Sequence, residues 1–403
     1  MPHHPTLFAR QPIHGRDLRV CGYELLFRAP QADSAQFADA TSATADVVTR
    51  AMLDVGFDAL VSEHKAWINV GRDFLVRRAF EALPAERVVL EVLESVRDEP
   101  EVLAALREAR AAGFAIALDD FEVQQDTAAL VELSDFIKLD CLGRSTQEAS
   151  ARFLGLSKSG RVLLAEKVES REMVEACASH GAELFQGYFL TRPESVKGAE
   201  VRSDRLRLLQ VIGELNSTEV TIQRVAELVQ LDVSLSYRLL RYANSAGIGR
   251  ARVFEHVRDA ITMLGLDRVR AVATLMILGS LSTKPPELAR IALIRARYCQ
   301  LLGSMRNGDP QKHFVAGLFS VLDAFLDDSM GNVIAKLPLD TEITAALLER
   351  RGELGEALDA TIACERAEWN RALLDGVDID ELGGAYVAAL AWADKMQAAV
   401  ETS

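Results

Sequence analysis

In the first half of the chain, one apolar run after another ends on a charged or amide side chain. Asn69 follows Trp67-Ile68, and Glu91 follows Val88-Val89-Leu90. Asp119-Asp120 follow Ile116-Ala117-Leu118, and Glu166 follows Val162-Leu163-Leu164-Ala165. Lys138 lies within Ile137-Lys138-Leu139-Asp140, and Glu24 within Tyr23-Glu24-Leu25-Leu26-Phe27-Arg28. Runs this short and this apolar read as strands buried on both faces, where charge is costly unless paired or bound to metal. A single acid of this kind is explained as well by a helix cap or a nearby Arg or Lys. Recurrence at successive strand ends is not, and it points to a fold that gathers those ends at one mouth.

The spacing of the runs agrees. Strands are predicted over residues 19–26, 67–70, 88–93, 114–118, 136–139, 162–165 and 184–189, with amphipathic stretches between them. One such stretch, residues 98–112, places Val102, Leu103 and Leu106 at helical spacing and stops before Gly113. Seven or eight such units predict an α/β domain with a largely parallel sheet: a compact, TIM-like (β/α)8 barrel. In that fold the C-terminal strand ends converge on the face that carries active sites. Hard oxygen ligands gathered there suit Mg2+ or Mn2+, and a pair of such ions suits phosphodiester cleavage.

Past residue 205 the strand-like runs stop. Ile222, Val225, Ala226 and Val229 fall at helical spacing, and breaks come at Gly247, Gly249, Gly265 and Lys284-Pro285-Pro286. Asp340-Thr341-Glu342 and Asp378-Ile379-Asp380 read as helix starts. A chain of 403 residues has room for two or three domains. The change of rhythm predicts two, a barrel over 1–195 and an all-α domain over 205–403, whose core covers about 205–330. Residues 193–204, polar with Pro and Gly, form the predicted linker.

Composition narrows the function classes. Asp plus Glu number 59 against 45 Lys plus Arg, a net charge of −14, which argues against DNA or an anionic membrane as partner. The 5 cysteines are widely spaced and form no CxxC pair, which fits a reducing compartment. The start, Met1-Pro-His-His-Pro, lacks a signal peptide's pattern, and the longest apolar run, 271–281, is far short of the about 20 residues of a membrane helix. The expectation is a cytoplasmic protein.

The motifs of the first half, taken in order, resemble those of the EAL domain, the barrel associated with cyclic di-GMP phosphodiesterases. Gln11-Pro12-Ile13 is similar to the family's opening QPI, and Tyr23-Glu24-Leu25-Leu26-Phe27-Arg28 to its signature, with Leu for the Ala of the name. Leu90-Glu91-Val92-Leu93-Glu94 resembles its LE-x-TE segment, Asp119-Asp120-Phe121 its DDF, and Ile137-Lys138-Leu139-Asp140 its KID. Ala165-Glu166-Lys167-Val168-Glu169 resembles AEGVE, and Gln186-Gly187-Tyr188-Phe189 with Arg192-Pro193 resembles QGY…RP. The resemblance implies that Glu24, Asn69, Glu91 and Asp119 hold one metal, and that Asp119 and Asp120 contribute to a second. It implies that Lys138 places the attacking water, that Glu166 supports the metal and water shell, and that Arg28 meets a ligand phosphate. Gln11, Glu169 and Gln186 would line the site of cyclic di-GMP, which would be opened to linear pGpG. Homodimerisation, common among EAL domains, is a further expectation.

One loop departs from the family. After DDF a Gly-Thr-Gly-type loop is usual, and this chain has Glu122-Val123-Gln124-Gln125. Glycine permits backbone angles that Glu and Gln resist, so the loop takes another path, which bears on the second metal and on coupling to dimerisation. Leu93 also replaces the family's Thr beside Glu91.

The second half resembles an HDOD domain over roughly 205–330, through Leu239-Leu240-Arg241-Tyr242-Ala243-Asn244-Ser245-Ala246, Asp259-Ala260-Ile261, Leu264-Gly265 and Ala316-Gly317-Leu318-Phe319-Ser320-Val321. An HD hydrolase needs adjacent His-Asp as metal ligands. The chain has no His-Asp pair, and Ser320-Val321 stand where it would fall. The expectation is a non-catalytic module that contacts an unidentified signalling protein. His256 and His313 read as structural residues, Met276, Trp369 and Trp392 as packing residues, and Arg295, Arg297 and Arg306 as a solvated face. Three functions fit: a Mg2+- or Mn2+-dependent cyclic di-GMP phosphodiesterase, a cyclic di-GMP receptor without turnover, and an interaction scaffold with a degenerate barrel.

Overall fold

The computed structural model describes residues 7–27, 56–120, 128–193, 203–217, 219–245, 254, 256–281, 284–337 and 339–401. Arg28, the loop Glu122-Val123-Gln124-Gln125 and most of the predicted linker lie outside the described residues. The chain divides into two compact units. The first comprises Met1–Leu190, Ala363–Leu373 and Asp378–Gly383, and the second Thr191–Ile362, Leu374–Val377 and Gly384–Ser403. Two short C-terminal stretches thus group with the barrel, whereas the sequence reading places all of 205–403 in one helical domain.

The first unit is the predicted closed barrel, β1 to β8 in sequence order. Its strands are β1 (Phe8–Gly15), β2 (Val20–Phe27), β3 (Lys65–Val70), β4 (Val88–Val92), β5 (Ala115–Leu118), β6 (Phe136–Asp140), β7 (Val162–Glu166) and β8 (Ala182–Gln186). Every strand from β2 to β8 runs parallel to the next, as the apolar runs predict. β1, for which no strand is predicted, is antiparallel to both of its neighbours. Its FARQPIHG sequence does not read as an apolar run, because Arg10 is buried only through partners. The Arg10 guanidinium donates to Leu60 O at 2.7 Å and lies 4.6 Å from the Tyr23 ring centroid.

Ile13, Trp67, Val89, Ala117 and Leu164, joined by Phe136 and Leu184, form an apolar layer inside the barrel. Trp67 and Phe136 meet with ring centroids 4.7 Å apart. Gly22 makes room for the indole, since a Cβ there would lie 2.6 Å from Trp67 Nε1.

The second unit is helical throughout its described residues. Its helices start where side chains can cap them. Thr221 accepts from Arg224 N at 3.2 Å before Ile222–Gln230, and Asp340 accepts from Glu342 N at 2.9 Å before Thr341–Glu349, as predicted from Asp340-Thr341-Glu342. Met276 is buried, and Trp392 packs edge-on against Phe314. His313 is buried with Nδ1 2.7 Å from Asp309 O, a structural hydrogen bond. The reading of Arg295 as part of a solvated face is corrected: Arg295 is buried and donates to Ser320 Oγ at 3.1 Å. Its helix, Pro286–Met305, is covered on most of its surface, so polar residues along it are turned into the protein and need internal partners. Among the described residues no helix is long and apolar enough to cross a membrane.

Candidate functional site

Side chains alternate between the two faces of a strand, so residues two apart share a face. Counting two positions from each member of the apolar layer toward the mouth gives the next interior layer. Trp67 leads to Asn69, Val89 to Glu91, Ala117 to Asp119, Phe136 to Lys138, Leu164 to Glu166 and Leu184 to Gln186. On β2, Gly22 leads to Glu24, and on β1, which runs the other way, Ile13 leads back to Gln11. One step along the strands therefore replaces a layer of hydrocarbon with one of carboxylates, amides and an ammonium. The regular pleat converts a sequence pattern into a site.

Lys138 is at the centre and has no exposed surface. Its Nζ donates to Glu24 Oε2 at 3.1 Å and to Glu91 Oε1, and pairs with Glu166 Oε1 at 2.5 Å and Asp119 Oδ1 at 3.7 Å. Glu24 is held on its other sides, accepting from Asn69 Nδ2 at 2.8 Å and Gln186 Nε2 at 2.7 Å. Gln186 Nε2 also donates to Gln11 Oε1 at 3.1 Å, and Gln11 Nε2 donates to the Tyr188 hydroxyl at 3.1 Å. Gly187, at φ 147° and with Val168 O 2.2 Å from where a Cβ would stand, brings the chain close beside β7 and so sets Tyr188 next to Gln11.

Four carboxylates face one ammonium, and the titration behaviour follows from that imbalance. Burial pushes the Lys138 ammonium toward deprotonation, but Glu24, Glu91, Glu166 and Asp119 together hold it well above the ordinary lysine range. Burial also raises Glu24, yet the Lys138 charge and the hydrogen bonds from Gln186 and Asn69 overcome it and keep Glu24 ionised below the usual carboxylate range. Glu91 goes well above that range, through complete burial and then the charge of Glu24. Asp119 is raised by burial and by Glu24 against the pull of Lys138. Glu166, by burial with Asp119 and Glu24 against Lys138, is pushed up to about 7.

These residues suit a hard divalent cation. One carboxylate oxygen each from Glu24, Glu91 and Glu166 lie within 4.8 Å of one another. Glu91 Oε2 is buried without a hydrogen-bond partner, an acceptor that the protein alone leaves unused. The donors are all oxygens and negative charge is in excess, the conditions under which Mg2+, Mn2+ or Ca2+ binds.

The structure brings together Gln11, Glu24, Asn69, Glu91, Asp119, Lys138, Glu166 and Gln186. Asp120, half-buried at the rim with φ 40°, adjoins Asp119 but is not one of the three clustered ligands. Glu169 is exposed beyond the end of β7. Tyr188 carries no role in the sequence reading although its motif does; its place in the Gln11 network needed the antiparallel β1 to become visible.

Fold and site together define a closed α/β barrel whose strand ends assemble a buried cluster of carboxylates around one lysine. The sequence matches the EAL domain family over residues 72–193 and the HDOD domain family over residues 206–354. It is 32% identical over 397 residues to the cyclic di-GMP phosphodiesterase CdgJ of Vibrio cholerae serotype O1, which spans 96% of this chain and 92% of that protein. It is 28% identical over 396 residues to the uncharacterized protein YuxH of Bacillus subtilis strain 168, covering 95% of this chain and 97% of YuxH. Among solved structures, Klebsiella pneumoniae BlrP1 in a manganese/cyclic di-GMP complex aligns at 25% identity and TM-score 0.38, over 47% of this chain and 56% of BlrP1. A standalone EAL protein of Vibrio cholerae O395 in its cyclic di-GMP-bound form aligns at 22% identity and TM-score 0.38, over 47% of this chain and 92% of that one. The chain belongs to the family of EAL-domain proteins that carry a C-terminal HDOD domain.

Proposed function

We propose that this chain is a bacterial, cytoplasmic cyclic di-GMP signalling protein whose barrel is a metal-dependent phosphodiesterase. Its HDOD part is then a non-catalytic module that contacts a further signalling protein, and the EAL resemblance adds a homodimer. The observation that carries this reading is the interior layer itself, in which Glu24, Glu91, Asp119 and Glu166 crowd one buried point with more negative charge than Lys138 neutralises. The name of CdgJ supports the choice of ligand.

Glu24, Asn69, Glu91 and Asp119 would hold one Mg2+ or Mn2+, with Asp119 and Asp120 contributing to a second. Such ions supply a lowered pKa for the attacking water and neutralise charge on the phosphodiester. Glu166, whose pKa burial pushes up to about 7, is fitted to accept the proton that the water loses. Lys138, held protonated, keeps three carboxylates in place and can donate a hydrogen bond that orients the water. Asn69 and Gln186 fix the Glu24 carboxylate from both sides, so its geometry is set before ligand arrives. Gln11, Arg28, Glu169 and Gln186 would line the dinucleotide site. Addition of one water breaks one phosphodiester P–O bond and yields linear pGpG.

The test is to incubate the full chain with cyclic di-GMP and Mg2+ or Mn2+ and follow pGpG by chromatography, with ligand binding measured in parallel. The expected result is product in the wild type and, in Glu24→Ala, a loss exceeding the about 100-fold seen for outer-shell changes at metal sites. Saturable binding without product would make the protein a receptor, and wild-type rates in Glu24→Ala would refute the site.

A further inference from the structure

A second cation stands near the end of β8, outside the acid layer. Ala363–Leu373 belongs to the same compact unit as the barrel. The segment is tied to β1 by Cys364 Sγ, 3.8 Å from Phe8 O, and by Gln11 Nε2, which donates to Glu365 O at 3.3 Å. There the helix Gly352–Glu365 ends in a tight turn. Ala367 N donates to Cys364 O at 3.0 Å and Glu368 N to Ala363 O at 2.9 Å, with Ala367 at φ 56°. That left-handed backbone favours glycine, so the alanine is held there by its surroundings.

The turn puts the Arg366 guanidinium carbon 4.7 Å from the centre of the Tyr188 ring. Tyr188 is bonded to Gln11, Gln11 to Gln186, and Gln186 to Glu24, so Arg366 lies beside the network that lines the mouth. Stacking alone is a common structural use of arginine. The stack of Arg10 on Tyr23 is of that kind: the buried Arg10 Nη2 has no acceptor, but its Nη1 donates to Leu60 O at 2.7 Å. Among the described residues the Arg366 guanidinium makes no such hydrogen bond. Its Nε is buried without an acceptor, its nearest carboxylate oxygen, on Glu368, is 4.0 Å away, and its side chain is 35% exposed. A planar, charged, donor-rich group thus lies over an aromatic face with its hydrogen-bonding capacity largely unspent by the protein.

We propose that Arg366 binds a phosphate of the cyclic dinucleotide, presented over Tyr188 by the turn that follows the helix Gly352–Glu365. This rests on the function proposed above. A cyclic dinucleotide carries two phosphodiester anions, and the acid layer repels both unless cations intervene. Metal ions at Glu24 and Glu91 would meet the phosphate under attack, and the other needs a positive group at the rim. A guanidinium fits that need by bidentate, charge-assisted donation. The barrel would then owe part of its ligand affinity to a residue that lies far outside the EAL motifs in sequence.

The test is calorimetric titration of cyclic di-GMP into the calcium-loaded full chain, as wild type, Arg366→Ala and Arg366→Lys, at two salt concentrations. Thermal melts without ligand show whether each variant folds. The expected result is about tenfold weaker binding in Arg366→Ala, in line with a hydrogen bond to a charged group, and a shallower loss of affinity with salt. Arg366→Lys should fall between, retaining the salt dependence; if Arg366→Ala does not fold, this variant carries the test. Equal or tighter binding by a folded Arg366→Ala overturns the inference, the tighter result meaning that the turn shields the mouth. Absence of binding by the wild type would instead refute the proposed function, and the inference with it.

Discussion

Both units bury cations, and they do so in opposite ways. In the barrel, Lys138 is outnumbered by four carboxylates, and one buried oxygen of Glu91 has no partner. In the helical unit, Arg270 is buried with Nη2 donating to Ser217 O at 3.0 Å, Arg290 pairs with Asp394, and Arg295 donates to Ser320. Each of these arginines reaches backbone, a hydroxyl or a nearby carboxylate, although Arg270 Nε has no acceptor, and none is outnumbered four to one by carboxylates as Lys138 is, so each acts as a fastener between helices. An unbalanced cluster is costly to maintain and makes sense where another charged species joins it. Ser320, which stands where the sequence reading would place an HD hydrolase's ligand, is hydrogen-bonded to a buried guanidinium, whereas the barrel layer leaves carboxylate in excess.

The strongest effect expected comes from substituting one buried cation from each unit. Lys138→Met and Arg290→Met each remove one partner of a buried ion pair, a change that costs about 3–5 kcal/mol. The Lys138→Met loss is expected to shrink on adding Mn2+ or on combining with Glu24→Gln, because both relieve the charge of the ionised carboxylate that Lys138 otherwise meets. The Arg290→Met loss should respond to neither. Denaturant unfolding with and without Mn2+ checks this; rescue of both variants, or of neither, would dissolve the distinction between the units.

A smaller effect concerns acid. His14, on β1, is fully buried with Nδ1 3.2 Å from Leu18 O and its ring edge-on to Phe189. Burial lowers its pKa to about 4, against 6.5 for an ordinary histidine, outweighing the Leu18 hydrogen bond. Between those values the unfolded chain binds the proton and the folded barrel does not, so this residue's contribution to stability is present above pH 6.5 and lost as pH falls toward 4. The loss is up to about 3 kcal/mol. The difference in stability between wild type and His14→Gln should therefore depend on pH across this window. A difference that stays flat would show that His14 is protonated in the fold.

How much of this was legible in the sequence follows the physics of each element. The parallel strands and their terminal acids could be read because short apolar runs that end on a charged side chain are local signals. Asn69, Glu91, Asp119, Lys138 and Glu166 end or interrupt apolar runs; that they share one interior layer, two residues beyond its apolar neighbour, needed the barrel. β1 could not be read as a strand, since Arg10, Gln11 and Pro12 interrupt its apolar pattern and only a stack and a carbonyl 50 residues away make Arg10 tolerable inside. Arg295 looked like a surface residue because helical spacing does not reveal that a helix is enclosed by others. Arg366 gave no local signal at all, being separated from Tyr188 by almost half the chain.

If the excess of buried carboxylate is a divalent-cation site, the ion itself can be located. Crystals of the full chain soaked in Mn2+, with data collected at the manganese absorption edge, locate the ion directly. An anomalous peak is expected in the barrel at bonding distance, about 2.1 Å, from carboxylate oxygens of Glu24 and Glu91, with its loss in Glu24→Gln. Wild-type crystals with no peak there, or with manganese bound only elsewhere, would contradict a cation site in the barrel.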